Sequence, residues 1–258
     1  MVALPLERPV DDEPMVHVEG LEMAYGSKVV QHDLNFDIHA GEVLAIIGES
    51  GCGKSTLLRH LIGLQSPSAG RILYGHEDLN TAEGDRLAKL RRAFGVSFQA
   101  GALWSSMSVG ENVMLPLEIF GGQNEQEREQ QAREKLTLVG LGDQFDVEPS
   151  ALSGGMKKRA AIARALALEP PLLYLDEPSA GLDPLTAAQL DHLILHLSEQ
   201  GRTVVMVTHE LPSIFAVADR ALFLDAETHT MTALDAPEAL RDHGPEKVQN
   251  FLRRGLPA

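Results

Sequence analysis

Basic residues are scarce in this chain: 22 lysines and arginines stand against 37 aspartates and glutamates, a formal charge of −15 over 258 residues. Binding along a phosphate backbone needs a net basic face, so nucleic acid is excluded as the principal partner. Cysteine is scarcer still. With Cys52 alone no intrachain disulfide can form, and a reducing compartment suits the chain. Long apolar runs are also missing. None approaches the roughly 20 residues that a membrane-crossing helix requires, so membrane contact is expected only through a partner. Met1 to Pro14 carries Glu7, Asp11, Asp12 and Glu13 and has no basic segment followed by an apolar core. It reads as a flexible lead-in and not as a signal peptide. There is no internal repeat and no low-complexity segment. What remains, 44% hydrophobic and 23% charged residues, is ordinary globular composition. The length fits one large domain or one domain with an insertion.

The most informative stretch is Gly48-Glu49-Ser50-Gly51-Cys52-Gly53-Lys54-Ser55-Thr56. It lies between the apolar Val43-Leu44-Ala45-Ile46-Ile47 and a helical pattern from Leu57 to Ile62. Strand, glycine-rich loop and helix in that order match the G-x-x-x-x-G-K-[ST] phosphate cradle. The glycines let several backbone N–H groups face one anion. Lys54 adds a positive charge for the β- and γ-phosphates, the Ser55 hydroxyl can ligate Mg²⁺, and the helix dipole points at the same place. A nucleoside triphosphate is the expected ligand.

Strands are expected over Met15–Tyr25, Lys28–Ile38, Arg71–Gly75, Phe94–Phe98, Pro171–Leu175, Thr203–Val207 and Ala221–Leu224. Helical patterns cover Thr81–Arg92, Ser108–Gly140 with a break at Gly121-Gly122, Lys157–Leu168, Pro184–Gln200, Leu211–Ala218 and Pro245–Arg254. Strands alternating with helices imply a mostly parallel sheet covered on both faces. Residues 100–158 read as a helical insertion into a single domain spanning 15–258.

Two further features carry chemistry. The apolar strand Leu172-Leu173-Tyr174-Leu175 ends in Asp176-Glu177, and strand C-termini face the ligand crevice of an open α/β sheet. Asp176 fits a Mg²⁺ partner and Glu177 the group that polarises an attacking water. Ser153-Gly154-Gly155 opens a helix and forms a second anion-binding shape. Lys157-Lys158-Arg159, just beyond, reads as a solvated helix face.

The order of phosphate loop, Gln99, Leu152-Ser153-Gly154-Gly155, Leu172 to Glu177 and His209 resembles the ATP-binding subunit of ABC transporters, from about Met15 to Arg254. The resemblance implies an α/β P-loop NTPase (RecA-like) core, mainly parallel, with an N-terminal antiparallel β part and an inserted α-helical subdomain. It implies ATP and Mg²⁺ as ligands. Tyr25 then stacks on adenine, where the residues alone also allow a strand-end packing role. Gln99 contacts Mg²⁺ and water, Asp183 of Ser179–Asp183 crosses between subunits, and His209 senses the γ-phosphate; the other nine histidines read as surface or packing residues. Cys52 fills a variable loop position, where alkylation is expected to obstruct nucleotide. One phosphate loop and one Ser-Gly-Gly per chain imply a head-to-tail homodimer enclosing two ATP molecules. A membrane permease is the implied partner, and the cytoplasmic face of the bacterial inner membrane the implied location.

Within that family, Gln99-Ala100-Gly101-Ala102-Leu103 and Met156 after Ser-Gly-Gly look like the Mla/Mce-type lipid transport ATPases. So does the ending Val248-Gln249-Asn250-Phe251-Leu252. This branch implies phospholipid cargo and an Mce-domain partner. Leu103, Trp104 and Met107 suit either a permease-docking surface or packing inside the helical insertion. Soluble ABC-type ATPases acting on DNA or ribosomes bring tandem modules or long coiled coils, for which 258 residues leave no room. A non-hydrolysing regulator is expected to lack the carboxylate that Glu177 supplies.

Overall fold

The computed structural model describes residues 13–254. The expected lead-in, residues 1–14, lies outside them except for Glu13 and Pro14. The chain opens with β1 (Val16–Tyr25) and β2 (Lys28–Ile38), an antiparallel hairpin that places Tyr25 opposite Lys28. β4 (Ala69–Tyr74) pairs with the other edge of β1, and the two-residue β5 (Glu77–Asp78) completes a four-stranded sheet ordered β2-β1-β4-β5. This is the antiparallel part.

The larger sheet runs β10-β9-β3-β8-β7-β6. Its strands are β3 (Val43–Gly48), β6 (Phe94–Ser97), β7 (Leu172–Asp176), β8 (Thr203–Val207), β9 (Arg220–Asp225) and β10 (Thr230–Asp235). All neighbours are parallel except β10, which runs against β9. β3 and β8 are buried at every position, as strands covered on both faces must be. The strand period of two divides their side chains between two cores. Ala45 and Ile47 join one, while Leu44 and Ile46 join the other beneath the antiparallel sheet.

Between the sheets, β4 and β7 are pinned by a hydroxyl chain. Tyr74 donates to the Leu61 carbonyl at 2.7 Å, and the Tyr174 hydroxyl lies 2.6 Å from that of Tyr74. Both tyrosines are fully buried and their acidities are suppressed, chiefly by that burial. The chain satisfies two polar groups that are costly to bury alone and fixes β7 two residues before Asp176.

The helical region comprises α3 (Val109–Phe120), α4 (Glu125–Leu138) and α5 (Gly154–Ala165), with 3₁₀ turns at Gly142–Gln144 and Pro149–Ala151. Capping boxes at Ser108/Glu111 and Asn124/Glu127 start the first two helices. α5 crosses residue 158 and packs against both α3 and β6. Around the sheet stand α1 (Lys54–Leu61), α2 (Gly84–Arg92), α6 (Pro184–Glu199) and α7 (Leu211–Val217). They are followed by α8 (Pro237–His243) and α9 (Glu246–Leu252). The fold is an α/β P-loop NTPase fold with a mixed, mainly parallel sheet.

Besides the two-residue β5 and the 3₁₀ turns, two longer elements escaped the sequence pattern. β10 has no fully buried residue and bonds only to β9 in its sheet, so its alternation is faint. α8 has seven residues and buries only Pro237 and Leu240. The final helix is as its pattern indicates: Val248, Phe251 and Leu252 are buried together, and the Phe251 ring meets Phe223 edge-on at 5.4 Å.

Candidate active site

At the C-terminal end of β3 the chain turns through the glycine-rich loop into α1. Gly48 has φ of 144°, and a Cβ there would lie 2.4 Å from the Leu224 carbonyl oxygen, so only glycine lets β3 run this close to β9. Gly53 also has positive φ, and its missing Cβ makes room for Val30 Cγ1, 2.8 Å from the ideal Cβ position. Lys54 is buried and folds its ammonium back over the loop, donating to the Gly48 carbonyl at 2.9 Å and the Glu49 carbonyl at 3.0 Å. The resulting cavity, about 440 Å³, is lined by Ser50, Gly51, Cys52, Gly53, Lys54, Ser55 and Thr56. Tyr25, Gln99 and Glu177 complete the part of the wall named in the sequence.

Ser55 donates its hydroxyl to Asp176 Oδ1 at 3.2 Å, joining the start of α1 to the end of β7. Burial raises the Asp176 pKa, with the Ser55 hydrogen bond working the other way. A hydroxyl, a carboxylate and an open cavity suit Mg²⁺, which keeps several waters and takes substrate phosphates as its other ligands. No cluster of three or more His, Cys, Asp or Glu able to cage a metal occurs among the described residues.

Glu177 follows with φ of 49°, a left-handed conformation unusual for a side chain of this length. Its N–H donates to the Val207 carbonyl at 2.8 Å, tying the end of β7 to the end of β8. The carboxylate is buried. Oε1 accepts from His209 Nδ1 at 2.8 Å, and Oε2 has no hydrogen-bond partner among the described residues. An ionised carboxylate only accepts, so the imidazole carries its proton on Nδ1. His209 itself is exposed and is not among the residues lining the cavity.

Tyr25 stands 49% exposed at the rim, its hydroxyl 3.5 Å from Thr56 Oγ1. Ser153, Gly154, Gly155 and Asp183 do not line the cavity within the chain. Ser153 caps α5 by accepting from the Met156 N–H at 3.3 Å. Gly155 packs against Thr186 of α6. Asp183 caps α6, accepting from the N–H groups of Leu185 and Thr186, each at 3.1 Å. The Thr186 hydroxyl and these amides hold its carboxyl below the usual range.

Two readings of the sequence need correction. Lys158 is not a solvated side chain: its ammonium is half-buried and donates to the Glu177 carbonyl at 2.9 Å and the Ala180 carbonyl at 2.6 Å. Burial lowers its pKa, opposed by Glu177. Cys52 is not a reagent-accessible thiol: it is 2% exposed, and burial raises its pKa, leaving little thiolate for an alkylating agent. Among the residues the sequence did not point to is one that braces the loop. Gln31, fully buried in β2, donates through Nε2 to the Cys52 carbonyl at 2.7 Å and the Asp225 carbonyl at 2.9 Å. The sequence held no distinct signal for it, because Gln31 is one of several polar residues in β2, with His32, Asp33, Asn35 and Asp37.

Phosphate loop, hydroxyl–carboxylate pair and buried glutamate at the C-terminal edge of a parallel sheet define a P-loop nucleotide-binding protein. Residues 31–180 match the model of a family described as ABC transporter, and the chain belongs to that family. It is 42% identical over 205 residues to the "probable ribonucleotide transport ATP-binding protein mkl" of Mycobacterium leprae, covering 79% of this chain and 59% of that one. It is also 42% identical over 217 residues to "methionine import ATP-binding protein MetN 1" of Rhodococcus jostii, covering 82% and 64%. The chain thus spans about three fifths of the length of these curated relatives. Among solved structures, the dimeric ATP-binding cassette MJ0796, in a post-hydrolysis state bound to ADP and Pi, superposes with a TM-score of 0.78 at 32% identity. That match covers 86% of this chain and 98% of the other. The cbiO1 protein of Clostridium perfringens, part of the ABC transporter complex cbiONQ, gives 0.80 at 29% identity over 95% and 97%.

Proposed function

We propose that this chain is the ATP-binding and ATP-hydrolysing subunit of an ABC transporter, powering a membrane permease. The observation that carries the reading is the shared edge of one cavity: the phosphate loop, Ser55 bonded to Asp176, and Glu177 with one buried oxygen uncommitted. The loop amides of Gly48 to Thr56 and the Lys54 ammonium bind the phosphates. Ser55, Asp176 and Gln99 would hold Mg²⁺, which would supply neutralising charge to the phosphates when bound. Glu177 Oε2 accepts the proton of the attacking water, while His209 Nδ1 keeps the carboxylate oriented through Oε1. Tyr25 offers its exposed ring to the base.

Ser153, Gly154, Gly155 and Asp183 stand away from the chain's own cavity, which suits completion of the site by a second copy. The assembly is a homodimer with two ATP molecules between its subunits, attached to the cytoplasmic face of the bacterial inner membrane through the permease. The cassette is one domain over residues 15–258, with the helical insertion at about 100–158. Its cargo is phospholipid or another envelope lipid, and the membrane complex includes an Mce-domain protein. The support is the segment Gln99 to Leu103 with Met156 in the signature. A second reading, import of a small polar solute, is favoured by the 42% identity to a protein named for methionine import.

Reconstitution with the copurifying membrane subunits decides between them. The lipid reading expects ATP-dependent movement of labelled phospholipid between membranes. It fails if ATP drives methionine or ribonucleotide uptake into the proteoliposomes while phospholipid stays in place.

A further inference from the structure

The cavity has a second wall that the sequence did not point to. Beside the phosphate loop it is formed by Lys28, Val29 and Val30 of β2 with Ala226 and His229 from the β9–β10 turn. His229 adopts φ of 53°, a left-handed conformation that a side-chain-bearing residue rarely takes without need. The turn is fastened at several points. The His32 N–H donates to the His229 carbonyl at 2.8 Å, and the His229 ring places Nδ1 3.1 Å from the Val30 carbonyl oxygen. Asp225 Oδ1 accepts from the Glu227 N–H at 2.7 Å and from Lys247 Nζ of α9 at 2.7 Å. Gln31 then ties the Asp225 and Cys52 carbonyls together, so turn and phosphate loop form one assembly.

The ring's chemistry follows from its partner. A carbonyl oxygen only accepts, so Nδ1 carries the hydrogen. In the neutral ring Nε2 is therefore an acceptor, and it bonds to no other described residue. The Val30 side chain reaches the phosphate loop, where its Cγ1 fills the space beside Gly53, and Tyr25 lines the same cavity as His229. With the phosphates on the loop and the base on Tyr25, as proposed above, the sugar lies between them in the cavity that His229 lines.

We propose that His229 is a nucleoside-recognition residue, accepting a hydrogen bond at Nε2 from a ribose hydroxyl of the bound nucleotide. This rests on the reading of the cavity as an ATP site. The strained turn conformation and the Gln31–Asp225–Lys247 fastening hold the acceptor in place before nucleotide arrives, reducing the ordering needed on binding.

Calorimetry with ADP, 2′-deoxy-ADP and 3′-deoxy-ADP on the full chain tests the assignment. Removal of the bonded hydroxyl should weaken binding to the parental protein by about 3- to 10-fold. His229→Gly keeps the left-handed turn accessible and removes the acceptor. His229→Asn also tolerates that conformation but shortens the side chain. Each should lose about the same factor for ADP and bind the affected deoxynucleotide and ADP alike. Unchanged ADP affinity in both variants, or a parental protein indifferent to both hydroxyls, overturns the proposal. A parental protein that binds no ADP at all defeats the ATP-site reading instead, so the two failures are told apart.

Discussion

His209 Nδ1 lies 2.8 Å from Glu177 Oε1, and this contact is built by strand register. Asp176 pairs with Val207 across β7 and β8, so the residues just past both strand ends emerge side by side. The Glu177 N–H closes on the Val207 carbonyl at 2.8 Å and turns its side chain into the same crevice. One carboxylate oxygen is thereby occupied and the other, buried and unpartnered among the described residues, is left for water or substrate. Buried carboxylate oxygens without partners are costly and uncommon outside functional sites.

Lys54→Ala should separate binding from chemistry. The ammonium now rests on the Gly48 and Glu49 carbonyls and must exchange them for phosphate oxygens. Loss of a charge-assisted contact of about 1.5–3 kcal/mol predicts a roughly 10- to 150-fold weaker ATP affinity. Equilibrium titration with MgATP measures it, and an unaltered dissociation constant would remove Lys54 from the site.

Gln31→Leu should cost stability as well as nucleotide affinity. The substitution leaves the Cys52 and Asp225 carbonyls without their shared donor in a buried setting. A loss of about 2 kcal/mol, or a Tm lower by roughly 4–8 °C, is expected for a chain of this size. Thermal unfolding with and without ADP checks both parts. A variant with parental Tm would show that the staple contributes nothing.

Stability should fall on acidification through His60. Its ring is fully buried, Nδ1 donates to the Thr56 carbonyl at 2.8 Å, and Nε2 has no partner among the described residues. Burial lowers its pKa below the ordinary 6.5, so the unfolded chain binds the proton more readily than the folded one. Its stabilising contribution is complete above pH 6.5 and is lost as pH falls through that value toward the lowered pKa. Denaturant unfolding of the parent and His60→Leu at pH 7.5 and 5.5 tests this. The parent should lose more stability than the variant over that interval; equal losses would clear His60.

Legibility in the sequence followed the range of the interactions. Gly48 to Thr56 and Asp176-Glu177 are local strings, each written by one strand end; Ser50 to Thr56 and Glu177 line one cavity, and Asp176 joins them through Ser55. β3, β7 and β8 were plain because burial on both faces requires unbroken apolar runs. Gln31 and His229 were not plain. Their significance lies in partners far away in the chain: Gln31 bonds to Asp225, 194 positions on, and His229 to Val30, 199 positions back. Lys158 was misjudged for the same reason, since a basic run on a helix looks solvated until the loop after β7 is laid over it. Trp104 illustrates the remaining kind of ambiguity. It is 59% exposed while neighbouring Leu103 packs on the core, so packing accounts for Leu103 and not for Trp104.

The most direct measurement concerns Glu177 itself. Glu177→Gln keeps the size of the side chain and removes its capacity to take a proton from water. Steady-state ATP hydrolysis by the purified variant should fall by about 100-fold or more, while MgATP still binds within a few-fold of the parental affinity. Hydrolysis at the parental rate would contradict the account, for the buried carboxylate beside His209 would then have no part in the reaction.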